Sequence, residues 1–332
     1  MRKLLALFVS AFVAAASSAA SAQPYQLALG GASPGGLWTL LGVGIDRAVK
    51  ASFPGSTVTY QTSGGGFANV LLLEQRRVQI ALVHNAELRL AINGEEPFRQ
   101  RFENLAVIGT LYNWAPMQFL LARDFAERHN IRSFEDIAAR RPPLRVALNR
   151  RGNIAEMVAE RMFRAIGVSS ENIRQWGGTV VLAASEEQSD LMRDRRVDGL
   201  LNSLFVGQRS LIEVGQALPV VMLPVGQPVI ERVAQEMGIE AYEIPAGSYP
   251  FQTEAVRTLT LGVMLMANRN AMSDQDAYNL ARALTENVAV VRDVHPAMRA
   301  LTPEFLAQQG AGTFHPGARR FYQERNLIRT GS

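Results

Sequence analysis

Short apolar runs alternate with longer amphipathic stretches along most of the chain, the arrangement of an α/β protein. Residues 25–29 predict a first strand, 30–36 a glycine-rich turn, and the stretch to about Lys50 a helix. Ser33 is expected to cap that helix, with Pro34 at its first position, where a missing N–H costs nothing. Residues 57–61 predict a second strand, 63–66 a second glycine turn and 67–76 a helix. Strands follow at 79–84, 105–112 and 117–122, the last crossing into a second lobe. There, 133–136 opens a short helix, 144–148 predicts a strand, 149–153 a turn and 154–166 a helix. Further strands are expected at 179–182, 197–201 and 218–223, and a helix at 230–237. Residues 259–267 read as the return crossing, and 274–328 as mostly helical. The crossings place 23–116 with 259–332 in one lobe and 117–258 in the other.

The N-terminus has a different pattern. Arg2 and Lys3 precede an apolar run over 4–16, and Ala20-Ser21-Ala22 is a small-residue cleavage pattern. Residues 1–22 therefore read as a secretory signal. The run is short for a bilayer span, so a cleaved leader is expected and the mature chain should be soluble and exported.

Composition removes whole classes of function. With 332 residues there is room for two domains, and 48% apolar against 19% charged residues speaks against disorder. The formal charge of +4 falls to +2 without Arg2 and Lys3, so no nucleic-acid partner is expected. The chain has no cysteine, which excludes disulfides, thiolate metal sites and cysteine nucleophiles. Lys3 and Lys50 are the only lysines, and no G-x-x-x-x-G-K-[ST] loop exists. His84, His129, His295 and His315 show no metal-binding spacing. No metal and no cofactor are expected.

Three segments share one design, an apolar strand, a polar glycine turn and a helix: those at Ser33, at Ser63-Gly64 and at Arg151-Gly152. In an open parallel sheet such turns lie at the carboxyl ends of the strands, where ligands bind. Each helix start offers unpaired N–H groups and the positive end of a dipole. Any one of them is ordinary turn chemistry, but three on an exported chain point to an anion, and a carboxylate is the economical choice. Arg151 is placed to grip it with two parallel hydrogen bonds, whereas Arg150 reads as solvated. Trp38 and Trp114 are candidate apolar walls, and His84 ends a strand facing the same region. Gly31-Ala32-Ser33-Pro34-Gly35 matches the G-x-S-x-G elbow of serine hydrolases. Pro34, however, lacks the N–H that the residue after the nucleophile gives to the oxyanion hole, so a secreted hydrolase is the weaker alternative.

An ordered set of motifs is similar to the TAXI group of solute-binding proteins of tripartite ATP-independent periplasmic (TRAP) transporters. It comprises Gly36 and Trp38, then Thr62-Ser63-Gly64-Gly65-Gly66-Phe67-Ala68-Asn69, Leu73-Glu74, and Gln79-Ile80-Ala81-Leu82-Val83-His84. Gly94, Pro97-Phe98, Leu111-Tyr112, Ser133-Phe134-Glu135-Asp136-Ile137, Val197-Asp198-Gly199 and Tyr249-Pro250 continue it. His295-Pro296-Ala297, His315-Pro316-Gly317-Ala318, Tyr322 and Glu324 close it. The resemblance implies a type II periplasmic-binding-protein fold, two α/β lobes with a ligand cleft between them. It implies capture of a small organic acid in the periplasm and delivery to a membrane permease, with no enzymatic step. Members of that group include glutamate and 2-oxoglutarate binders. The cleft turns carry over to Ala32, Ser33 and Trp38, to Ser63, Gly64 and Asn69, and to Arg151, Gly152 and Asn153. Two positions depart: His84 stands where glutamine is common, and Arg151-Gly152-Asn153 where Ser-Gly-Thr is usual. Glutamate is therefore not carried over. A sensor or scavenger of the same fold, working without a permease, would make the same contacts.

Overall fold

The computed structural model describes residues 24–34 and 36–329, so the leader expected at 1–22 lies outside the described residues. Ten strands form one twisted sheet: β1 (Gln26–Gly30), β2 (Thr57–Gln61), β3 (Ile80–His84), β4 (Leu105–Ala122), β5 (Arg145–Leu148), β6 (Thr179–Leu182), β7 (Gly199–Ser203), β8 (Val220–Met222), β9 (Glu240–Ile244) and β10 (Val256–Asn268). Their order is β2-β1-β3-β10-β4-β7-β5-β6, with β8 on β4 and β9 on β10. β1 runs parallel to β2 and β3, and β5 parallel to β6 and β7, which gives two parallel half-sheets. The long antiparallel pair β4 and β10 joins them.

The two strands expected at 105–112 and 117–122 are one strand of 18 residues. Asn113 to Pro116 looked like a break, but β10 pairs through it, with Thr260 opposite Pro116. The Pro116 carbonyl still accepts from Leu204 N–H, so only the donor is lost at that position. The register between the two long strands shifts around Leu261 and Val263, at the junction of the half-sheets.

Helices cover both faces. Helix α1 (Leu37–Ser52) buries Trp38, Leu41, Ile45, Ala48 and Val49, one stripe at helical spacing. Helix α2 (Gly66–Glu74) follows the second turn. Helix α3 (Asn85–Asn93), which apolar patterning does not predict, starts directly at the end of β3. The cap expected at Ser33 is not formed. Gly36 holds the N-cap position of α1 and supplies no side chain there. At the C-terminal end, the Tyr322 hydroxyl donates to Ile108 O at 2.8 Å, fastening the last helix to β4.

Candidate functional site

The turns after β1, β2 and β5 and the end of β3 face one another across a cleft of about 520 Å³ between the half-sheets. Ala32, Ser33, Trp38, Gly64, His84, Arg151, Gly152 and Asn153 all line it. The N-termini of α1 and α2 open into it, and neither carries a side-chain cap. Their first N–H groups therefore remain available to an anion. The helix Ile154–Ala165 enters from the opposite side, with Asn153 Oδ1 accepting from Ala155 N–H at 2.9 Å. Gly152 makes the turn before it at φ +81°, a conformation that side chains resist.

Ser63 and Asn69 stand behind this lining. Asn69 is 0% exposed. Its Nδ2 lies 3.2, 2.7 and 2.7 Å from the carbonyls of Gly30, Gly31 and Leu82. Ser63 Oγ sits 2.7 Å from both Gly31 O and Asn69 Oδ1 and accepts from Gly65 N–H at 3.0 Å. The pair thus locks the first two turns to β3.

The remaining candidates separate by their partners. Arg150 also lines the cleft, but it is largely exposed and approaches Glu187 at 3.7 Å. Arg151 is exposed on the cleft and forms no ion pair among the described residues. Trp38 is 8% exposed, and its Nε1 donates to the Tyr112 hydroxyl at 3.0 Å. Burial and nearby Glu87 hold that phenol neutral. Trp114 lies elsewhere, donating to Ala297 O at 2.6 Å and packing on Phe305. His129 packs on Phe125 and His295 caps a short turn, while His315 is buried under the last helix. Ser33 makes no side-chain hydrogen bond among the described residues, so nothing links it to His84 as a nucleophile–base pair.

Residues 29–325 match the model of the NMT1-like family. The chain belongs to the NMT1-like family. Solved structures agree on the architecture. A ligand-free TctC solute-binding protein from Polaromonas is 11% identical, covering 82% of this chain and 86% of its own, with a TM-score of 0.51. MatC from Rhodopseudomonas palustris, solved with bound malate, is 13% identical over 92% of this chain and 99% of its own, also at 0.51. At these identities the likeness is one of fold: two α/β lobes of the solute-binding-protein type.

This NMT1-like protein also has cleft residues that the sequence did not single out. Glu87 is 3% exposed, yet it borders the cleft. Its Oε2 accepts from His84 N–H at 2.9 Å and lies 3.0 Å from His84 Nδ1. A Cβ on Gly66 would overlap that oxygen, so glycine at the start of α2 makes room for the carboxylate. The signal was the spacing of His84 and Glu87, three residues apart at a helix start, which is that of a capping box. The His84 ring is also held by Trp38, 5.0 Å away between centroids.

Deeper in, the cleft continues into a chamber of about 200 Å³ reaching Tyr112 and Ala115 on β4 and Leu261 on β10. His84, Asn153, Ile154 and Ser185 border both spaces. Asn149, Ser185 and Asn202, which form one wall, come from three segments that nothing in the sequence connects. No group of three or more His, Cys, Asp or Glu side chains suited to a metal occurs among the described residues.

Proposed function

We propose that this NMT1-like protein is an exported solute-binding protein of the TAXI type, which closes around a small organic acid in the periplasm and delivers it to a TRAP permease. The lobes are 23–116 with 259–332 and 117–258, hinged on β4 and β10. The observation that carries the reading is the convergence of helix N-termini from both lobes, together with Arg151, on one cleft. A carboxylate lying among them takes up backbone N–H groups of α1 and α2 on one side and the guanidinium on the other. Only a closed form satisfies both sets, so ligand shifts the lobes toward closure. No bond in the solute is made or broken. The permease and the subgroup rest on the ordered motifs from Gly36 to Glu324. Among the described residues no helix is long and apolar enough to cross a membrane, which is compatible with a partner supplying the channel.

Titration calorimetry with a panel of mono- and dicarboxylates tests the reading. Binding by at least one acid, and none by its methyl ester, is the expected result. No heat and no thermal shift with any acid contradicts it.

A further inference from the structure

The inner chamber has a polarity that the outer cleft lacks. Its lining contains no Asp, Glu, Lys or Arg. The orientation of its amides is fixed by backbone donors, since a backbone N–H can only donate and must face oxygen. Arg150 N–H lies 2.8 Å from Asn149 Oδ1, Ala155 N–H 2.9 Å from Asn153 Oδ1, and Ser203 N–H 2.9 Å from Asn202 Oδ1. All three amide oxygens are thereby engaged. The amide nitrogens turn the other way. Asn149 Nδ2 donates one hydrogen to Asn202 Oδ1 at 3.1 Å, and Asn202 Nδ2 one to Ser185 Oγ at 2.9 Å. Each keeps a second hydrogen, Asn153 keeps both, and the Ser185 hydroxyl, already an acceptor, keeps its own. One wall of the chamber is thus uncharged and rich in donors.

The chamber is also bordered by the His84 ring. Glu87 Oε2 can only accept, so the hydrogen on His84 Nδ1 points to it, and Nε2 is the ring nitrogen left for a ligand. That nitrogen has no hydrogen-bond partner among the described residues.

We propose that the inner chamber is a recognition subsite for a carboxamide-like group, so that the solute is an organic acid ending in an amide or ureido function. The proposal rests on the carboxylate reading of the outer cleft, where Arg151 and the helix starts hold the acid end. At the far end the amide oxygen accepts from Ser185 and the asparagine nitrogens, and the amide N–H donates to His84 Nε2. A second carboxylate entering the chamber loses its hydration and meets no lysine or arginine. A terminal ammonium finds a wall of donors and no carboxylate. A plain alkyl end leaves the donors unpaired.

The test is calorimetric titration of four acids of matched chain length: a monoamide, a diacid, an ω-amino acid and an unsubstituted fatty acid, at several lengths. The monoamide is expected to bind at least tenfold tighter than the other three. Ser185→Ala is expected to lower monoamide affinity roughly fivefold more than that of the unsubstituted acid. A diacid, amino acid or unsubstituted acid that binds as well as the monoamide overturns the subsite and leaves the carboxylate reading standing. So does an equal loss for monoamide and unsubstituted acid in Ser185→Ala. Absence of binding by all four acids overturns the carboxylate reading, and the subsite with it.

Discussion

Arg150 and Arg151 are neighbours on one turn, and their surroundings assign them different work. Arg150 shares an exposed pair with Glu187 at 3.7 Å, the kind of contact that contributes little in water. Both arginines border the cleft, but Arg151 has no ion-pair partner among the described residues. Arg151→Ala is expected to weaken acid binding by about 2 kcal/mol, and Arg150→Ala by less than about 0.5 kcal/mol, both read by titration calorimetry. Equal effects would mean that the turn acts only as diffuse positive charge. Single residues were the least legible part of the sequence. Asn69 sits in a glycine-turn motif and reads as a ligand contact, but its amide is consumed by carbonyls from β1, the turn after it and β3. Which way such an amide faces depends on strands far apart in sequence, and no local pattern encodes it. Glu87 has the reverse history: its capping spacing is local and visible, but its closeness to Gly66 is a tertiary fact.

Among the elements, the start of α1 carries a testable trade-off. Gly36 adopts φ −89° and ψ 178°, the extended geometry of an N-cap, and a Cβ there would meet nothing within 4 Å. Gly36→Asp is therefore expected to add the missing cap and stabilise the ligand-free protein by about 0.5 kcal/mol. The same carboxylate occupies the N–H groups offered to the solute, so acid affinity should fall roughly tenfold. A stabilised variant with unchanged affinity removes α1 from the binding site. The last helix gives a second expectation. His315, fully buried at its N-terminus, accepts from Gly317 N–H at 3.4 Å and lies 3.2 Å from Met272 O. Burial lowers its pKa below the ordinary value, against the opposing pull of Asp274. Protonation then favours the unfolded chain, so this contribution is present above the unfolded pKa and is lost as pH falls through the folded one. Urea midpoints should drop between about pH 7.5 and pH 5.5, and drop less in His315→Gln. Strand and helix identities were largely readable, because each half-sheet alternates buried runs with amphipathic helices. The exceptions have physical causes. β9 is an edge strand with mostly exposed residues and no apolar run, and β4 passes through a proline that its neighbour β10 accommodates.

For the whole molecule, the two parallel half-sheets share only β4 and β10, and the cleft lies where those long strands pass from one to the other. This placement was legible in outline, since 117–122 and 259–267 read as crossings between lobes, but the continuity of the first back to Leu105 was not. The chamber beneath the cleft was not, because Asn149, Ser185 and Asn202 meet only after the second half-sheet has formed. On the proposed reading, binding is a contest between an open form, solvated on both faces, and a closed form held by the solute. The most direct measurement is a crystal structure of the protein with a bound acid. The carboxylate is expected within hydrogen-bond distance of backbone N–H groups at the start of α1 or α2 and of the Arg151 guanidinium, with the two lobes drawn together. An acid seated on one lobe alone, or outside this cleft, contradicts the account.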